Sequence, residues 1–186
     1  MFEVESFGFF STDDPVDWQF DCQICWSRIY EYPFAIDRLF GAIHNTSWGH
    51  EGIHLVFRDW LDAHFDDVVH SDIRGPEVWD ITTPPRDDWL GRFDCLLSIS
   101  TLEEIVEDHA TIIEKHFLPQ LKPGGRVIVT FDVPKFQVAA VEAWLGQPIH
   151  VPGNLLTPRT SARVDQVLGL PHDFRVGFLV LKAHHG

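Results

Sequence analysis

Basic residues are scarce in this chain: 14 lysines and arginines stand against 28 aspartates and glutamates, a formal charge of −14. A surface this acidic repels phosphate backbones, which argues against a nucleic-acid partner. Cysteine is scarce as well, with only Cys22, Cys25 and Cys95. An odd count without a secretion signal argues against a disulfide framework. Cys22 and Cys25 form a lone C-x-x-C, and a structural zinc would want a second ligand pair that the chain does not offer. No apolar run reaches the roughly 18 residues of a membrane helix. The opening "MFEVESFGFFSTDDP" has no basic stretch followed by an apolar one, so no signal peptide is expected and a cytoplasmic location is. Internal repeats and low-complexity segments are absent too.

What is present suits a globular fold. The 186 residues point to one domain, with a second possible only if very small, and 45% hydrophobic content is enough to bury a sizeable core. Residues 1–31 are aromatic-rich and read as an irregular cap segment; residues 32–186 read as the folded domain. From about residue 40 the pattern alternates. "FGAIHNT" is a short apolar run. In "HEGIHLVFRDWLDAHF", Ile53, Val56, Phe57, Trp60, Leu61 and Phe65 recur at helical spacing. "DDVVHSDI" and "EVWDITTPP" read as strands, the second stopped by Pro84 and Pro85. "FDCLLSIS" and "RVIVTFDV" are apolar on both faces, as strands at the centre of a parallel sheet are. Thr101 and Glu104 read as a capping box opening a helix, with "LKPGG" as the turn that ends it. "FQVAAVEAWLG" is a helix closed by Gly146, and "VGFLVLKA" is a last strand. The expected fold class is α/β: a single-domain, mostly parallel, doubly wound sheet of seven strands or slightly fewer. In such sheets ligands bind beyond the carboxyl ends of the strands. That rule singles out His44–Gly49, Ser71–Ile73, Asp80–Thr82, Ser98–Glu103 and Asp132–Lys135.

One stretch carries two incompatible readings. "GAIHNTSWGHEGIH" holds a turn after the first strand of the domain, and it also holds His50-Glu51-Gly52-Ile53-His54. The latter is the H-E-x-x-H pattern, in which two histidines bind zinc and the glutamate activates water. A catalytic zinc needs a third ligand, and no downstream segment supplies one with a recognisable signature.

"FDCLLSISTLEEI", a helix, and "LKPGGRVIVTFDV" together resemble the fourth and fifth strands of class I S-adenosylmethionine-dependent methyltransferases. The resemblance runs from about Phe40 to Ala183 and implies a Rossmann-like methyltransferase fold. It places the cofactor loop at "HNTSWG", through His44, Asn45, Thr46, Ser47 and Gly49, with one glycine where the family has two or three. It sets Asp72, beside Ile73, where the family's acid takes the ribose hydroxyls. Asp80, beside Ile81, falls where an acid faces the adenine amino group, and Ser98 lies near the end of the fourth strand. A histidine that follows "STLE" in the family is replaced by Glu104, so no catalytic residue is assigned. The lead-in "WSRIYEYPFAIDRL" resembles a cofactor-covering segment, with Trp26, Tyr30 and Tyr32 as the covering rings. The resemblance implies S-adenosylmethionine as cofactor and methyl transfer to a small-molecule or sugar-like acceptor. No metal is expected, and the acidic charge and short apolar runs leave no nucleic-acid or membrane partner expected. Two other readings stay open: a non-catalytic binding protein on the same fold, and the H-E-x-x-H zinc hydrolase.

Overall fold

The computed structural model describes residues 1–17, 27–48, 56–157 and 175–184. Cys22, Cys25, Trp26, Gly49 and the His50–His54 motif lie outside the described residues. The elements in chain order are β1 (Phe2–Phe9), α1 (Arg28–Ile36), β2 (Ile43–Asn45), α2 (Val56–His64), β3 (Val68–Asp72) and β4 (Glu77–Val78), followed by β5 (Phe93–Ile99), α3 (His109–Ile112), β6 (Leu121–Val133), α4 (Val138–Leu145) and β7 (Arg175–Ala183). After Ile112 the α3 helix continues as a wider π turn over Ile113–Phe117.

Among the described residues the seven strands form one sheet, ordered β1-β7-β6-β5-β2-β3-β4. β5 pairs in parallel with both β2 and β6, and β3 pairs in parallel with β2 and β4. β7 runs antiparallel to both of its neighbours, β6 and β1. Alternate residues of the central strands feed two cores. Phe93, Leu96, Val127, Val129, Leu179 and Leu181 pack with Ile112, Ile113, Phe117 and Val141 from α3 and α4. Cys95, Leu97, Ile128 and Val180 pack with Tyr32, Ala35, Phe57 and Leu61 from α1 and α2. The period of two thus directs each strand's apolar residues to helices on both faces.

Four local expectations are corrected. The N-terminal segment is not wholly irregular, because Phe2–Phe9 forms an edge strand of the sheet. Its alternation is broken by a register shift between Val4 and Ser6, which leaves Glu5 as a bulge. Arg28–Ile36 is a helix despite an internal Pro33. Proline cannot donate to the carbonyl four residues back, and that carbonyl, Ile29 O, accepts the Asp17 N–H instead at 2.9 Å. "LKPGG" belongs to β6 as an irregular start: Phe93 pairs with Leu121, and the ladder resumes at Cys95 with Arg126. "EVWDITTPP" pairs over Glu77–Val78 alone. Gly146 does close α4, in the left-handed conformation at φ 69°.

Candidate functional site

The chain leaves β2 for β3 and β4 on one side, while β5 and β6 lie on the other. The ends of β2 and β5 therefore flank the point where the winding changes direction, the place such sheets use for ligands. The loop after β2 is tightly held there. Asn45 Oδ1 accepts the Ser47 N–H at 3.2 Å, and Thr46 donates its hydroxyl to Leu97 O at 3.1 Å. Ser47 Oγ accepts the Ile99 N–H at 2.8 Å and bonds to Thr101 Oγ1 at 2.9 Å, tying the loop after β2 to the loop after β5. Asn45 also donates to His70 Nδ1 at 3.1 Å, and His70 Nε2 meets Asp62 Oδ1 at 2.9 Å. Trp48 follows, with Arg58 donating to its carbonyl at 2.6 Å and lying over its ring. The ring rests against Gly75, where φ is +132° and an added Cβ would sit 2.6 Å from the indole. A glycine from the turn between β3 and β4 thus makes room for the Trp48 ring beside the loop after β2.

The residues marked from the sequence take different places. His44 is fully buried. Its Nδ1–H meets Gln120 Oε1 at 2.7 Å, its Nε2 meets the Ser71 hydroxyl at 2.7 Å, and Trp79, Trp89 and Phe93 enclose the ring. Burial lowers its pKa to about 3, so the ring is neutral, a state in which both nitrogens are satisfied. Asn45, Thr46, Ser47 and Ser98 are buried as well. Asp72 ends β3, and its carbonyl accepts the Trp79 N–H at 2.9 Å. Ile73 is exposed at 65%, whereas Ile81 is buried in the core. Asp80 caps its own turn, its Oδ1 accepting from Thr82 N and Oγ1 at 2.9 and 2.8 Å. Tyr32 stacks on Phe57 within the core under α2, at 4.1 Å between ring centres, so it packs rather than covers a crevice.

The capping box does not form. Thr101 Oγ1 bonds to Ile99 O at 2.8 Å, and the helix begins only at His109. Glu104 is exposed and pairs with Lys135 at 2.7 Å. Glu103 turns inward instead, its Oε1 accepting the Asp132 N–H at 3.1 Å.

A buried polar hub sits at the same end of the sheet. Glu31 on α1 is fully buried and pairs with Arg28, itself 4% exposed. Glu31 Oε1 accepts from Ser100 Oγ at 2.7 Å and Thr130 Oγ1 at 2.5 Å, and Arg28 donates to Ser100 Oγ at 2.8 Å. Burial alone would raise the Glu31 carboxyl, but Arg28 and the two hydroxyls outweigh it and hold it low. Ser100 has φ 40°, the one positive value among described non-glycine residues, and these bonds keep it there. Beside the hub, Glu103 Oε2 and Asp132 Oδ1 are buried with no hydrogen-bond partner among the described residues. Burial and then the Asp132 charge push Glu103 well above the usual carboxylate range. Burial and then the Glu31 charge push Asp132 up to about 7. Sequence reasoning pointed at both segments by position and missed Arg28 and Glu31, whose inward-facing charges read as surface residues.

No protein-family model matches the chain, and no curated protein matches it in sequence. Solved structures do match in fold. One is geranyl diphosphate C-methyltransferase from Streptomyces coelicolor A3(2), crystallised with Mg2+, geranyl diphosphate and S-adenosyl-L-homocysteine. It is 14% identical with a TM-score of 0.53, over 96% of this chain and 91% of that one. The [4+2]-cyclase SpnF is 13% identical with a TM-score of 0.51, over 99% and 88%. An S-adenosylmethionine-dependent methyltransferase from Mesorhizobium loti is 14% identical with a TM-score of 0.50, over 82% and 97%. The cyclase in this set shows that the architecture also serves other chemistry. The sheet order, the inward-facing strand ends and these likenesses agree that the chain has the fold of the class I methyltransferases.

Proposed function

We propose that the protein is an S-adenosylmethionine-dependent methyltransferase acting on a small-molecule acceptor, built on a single doubly wound domain. The observation that carries this reading is the knot of hydrogen bonds joining Asn45, Thr46 and Ser47 to the end of β5, at the winding reversal and one strand from Asp72. It preorganises a crevice floor in a chain whose glycine loop is sparse. Asp72 at the end of β3 suits two ribose hydroxyls. S-adenosylmethionine would bring an electrophilic methyl group on a cationic sulfonium. The chain's part is alignment, which supplies up to about 7–11 kcal/mol of barrier lowering for well-oriented reactants. Asp80, committed to its own turn, is a weak adenine partner.

Calorimetric titration with S-adenosylhomocysteine tests the reading. Saturable binding is expected, and no heat and no thermal shift at millimolar ligand would end it. Asp72→Ala sharpens the test. Each charge-assisted hydrogen bond contributes about 1.5–3 kcal/mol. Affinity should therefore fall at least about tenfold, since one decade is about 1.4 kcal/mol. A stable Asp72→Ala protein that binds as tightly as wild type would show the acid misassigned. Zinc analysis of the purified protein addresses the hydrolase reading: stoichiometric metal lost in His50→Ala would replace the methyltransferase reading.

A further inference from the structure

The polar hub contains an imbalance of charge. Arg28 and Glu31 neutralise one another. Glu103 and Asp132 lie against them, and among the described residues no ion pair reaches either acid, since Lys135 is taken at the exposed rim by Glu104. Glu103 is 4% exposed, and its Oε2, like Asp132 Oδ1, is buried with no donor among the described residues. A buried carboxyl oxygen left without a partner costs free energy unless a bound group supplies one. The bond from Asp132 N to Glu103 Oε1 brings the two side chains together, and the Ser47–Thr101 bond links the same loop to the end of β2. The pair therefore sits at the carboxyl ends of β5 and β6, beside the proposed cofactor crevice.

Among the described residues no group of three or more His, Cys, Asp or Glu side chains could hold a metal ion. Two free carboxyl oxygens are instead the complement of an ammonium, which brings several N–H donors and the missing positive charge. A neutral alcohol would bring one donor and no charge.

We propose that Glu103 and Asp132 form the acceptor subsite for a cationic amine, seating its ammonium on Glu103 Oε2 and Asp132 Oδ1, with Asp132 taking the proton that nitrogen must lose before methylation. This rests on the methyltransferase reading for the chemistry, though not for the amine site itself. The step balances. One N–H bond breaks, and its proton forms the Asp132 carboxylic acid. The freed nitrogen lone pair makes the new N–C bond to the methyl carbon while the S–C bond electrons return to sulfur. The neutral thioether leaves, and the product is a methylated ammonium. Burial and the neighbouring charges of Glu31 and Glu104, opposed by Arg28 and Lys135, raise Asp132 toward neutrality, where it can exchange that proton.

The test is a calorimetric titration of the whole protein with n-butylamine hydrochloride and, separately, n-butanol. Each is run with and without S-adenosylhomocysteine at about pH 8, above the value of about 7 to which Asp132 is raised and below that at which the amine loses its proton. The amine is expected to bind at least about tenfold more tightly than the alcohol. Asp132→Asn and Glu103→Gln should each abolish that preference without changing affinity for S-adenosylhomocysteine. These variants keep side-chain volume, and their melting temperatures report folding independently. Equal binding of amine and alcohol, absence of amine binding at tens of millimolar, or a preference that survives both substitutions would overturn the proposal. So would Mg2+ binding that is lost in the same variants. Amine binding in a protein that ignores S-adenosylhomocysteine would instead leave the subsite standing and remove the methyl donor.

Discussion

His44 and the Glu103–Asp132 pair are both buried polar groups near strand ends, and they are treated in opposite ways. His44 has a partner at each nitrogen and three aromatic rings around it. Glu103 and Asp132 each keep a carboxyl oxygen with none among the described residues. The histidine carries the ligand-like sequence context, and the acids had only position to recommend them. Satisfaction of hydrogen bonds, rather than residue type, separates the structural group from the functional candidate: a completed polar group specifies packing, and an incomplete one is held for something that is not part of the chain. The Glu31 carboxylate belongs with His44, because Arg28, Ser100 and Thr130 all engage it.

The largest effect that would break this comparison is removal of a satisfied group. Glu31→Ala leaves the buried Arg28 guanidinium without its carboxylate and also strips Ser100 and Thr130 of their acceptor. Breaking one side of a buried ion pair typically costs about 3–5 kcal/mol. Urea unfolding should show a loss in that range, and a loss below about 1 kcal/mol would mean that the hub does not hold α1 to the sheet. His44→Leu comes next. It fills the aromatic box but orphans Gln120 Oε1 and the Ser71 hydroxyl, at a cost of about 1–3 kcal/mol.

Much of the sheet was legible because β5 and β6 are apolar on both faces and could only be central. β1 was not, because the bulge at Glu5 hides its alternation and Glu5 itself is drawn to Arg126 at 2.6 Å on a strand far along the chain. α1 was not, because its inward stripe includes Arg28 and Glu31, which periodicity counts as solvent-facing. The T-x-x-E box misled because Glu103, its neighbour, gains more from the Asp132 N–H than a helix would gain from starting at Thr101. Position at the strand ends did single out Ser98–Glu103 and Asp132–Lys135 for inspection. That two of their carboxyl oxygens are unpartnered is a tertiary fact with no local signature.

The comparison sharpens with pH. His44 binds its proton at about 3 when folded, against 6.5 as a free side chain. Its contribution is complete above about pH 6.5 and is lost as pH falls toward 3, by up to about 1.4 kcal/mol per unit. Burial lowers His109 too, which adds in the same direction. Asp132 is the reverse: raised from 3.8 to about 7, its contribution is present below about pH 4 and is lost as pH rises through 7. Glu103, raised in the same sense, adds to that slope. Between about pH 4 and 6.5 the satisfied and unsatisfied groups oppose each other. The double variant Glu103→Gln, Asp132→Asn removes one side of the opposition. Its stability should fall on acidification through this window more steeply than that of wild type, and it should gain on wild type at about pH 8. Parallel stability-against-pH curves for the two proteins would show that the carboxyl pair is not buried as described.

The smallest expected effect falls on the residue next to the pair. Glu104 stands where the resembling family has a histidine, yet its carboxylate is 58% exposed and pairs with the 60% exposed Lys135. An exposed pair of this kind contributes roughly 0–1 kcal/mol, because water screens both charges and two long side chains lose freedom. Glu104→Ala should therefore leave unfolding within about 0.5 kcal/mol of wild type. It should also leave the preference for n-butylamine over n-butanol intact, since an oxygen already in water has no unmet demand to satisfy. Glu103→Gln, one residue away, should do the opposite: erase the preference at little cost in stability, because an amide removes a buried charge while keeping the bond to Asp132 N. If Glu104→Ala proves the more damaging of the two to amine selectivity, recognition takes place at the exposed rim, and hydrogen-bond satisfaction inside the fold is not what marks the site.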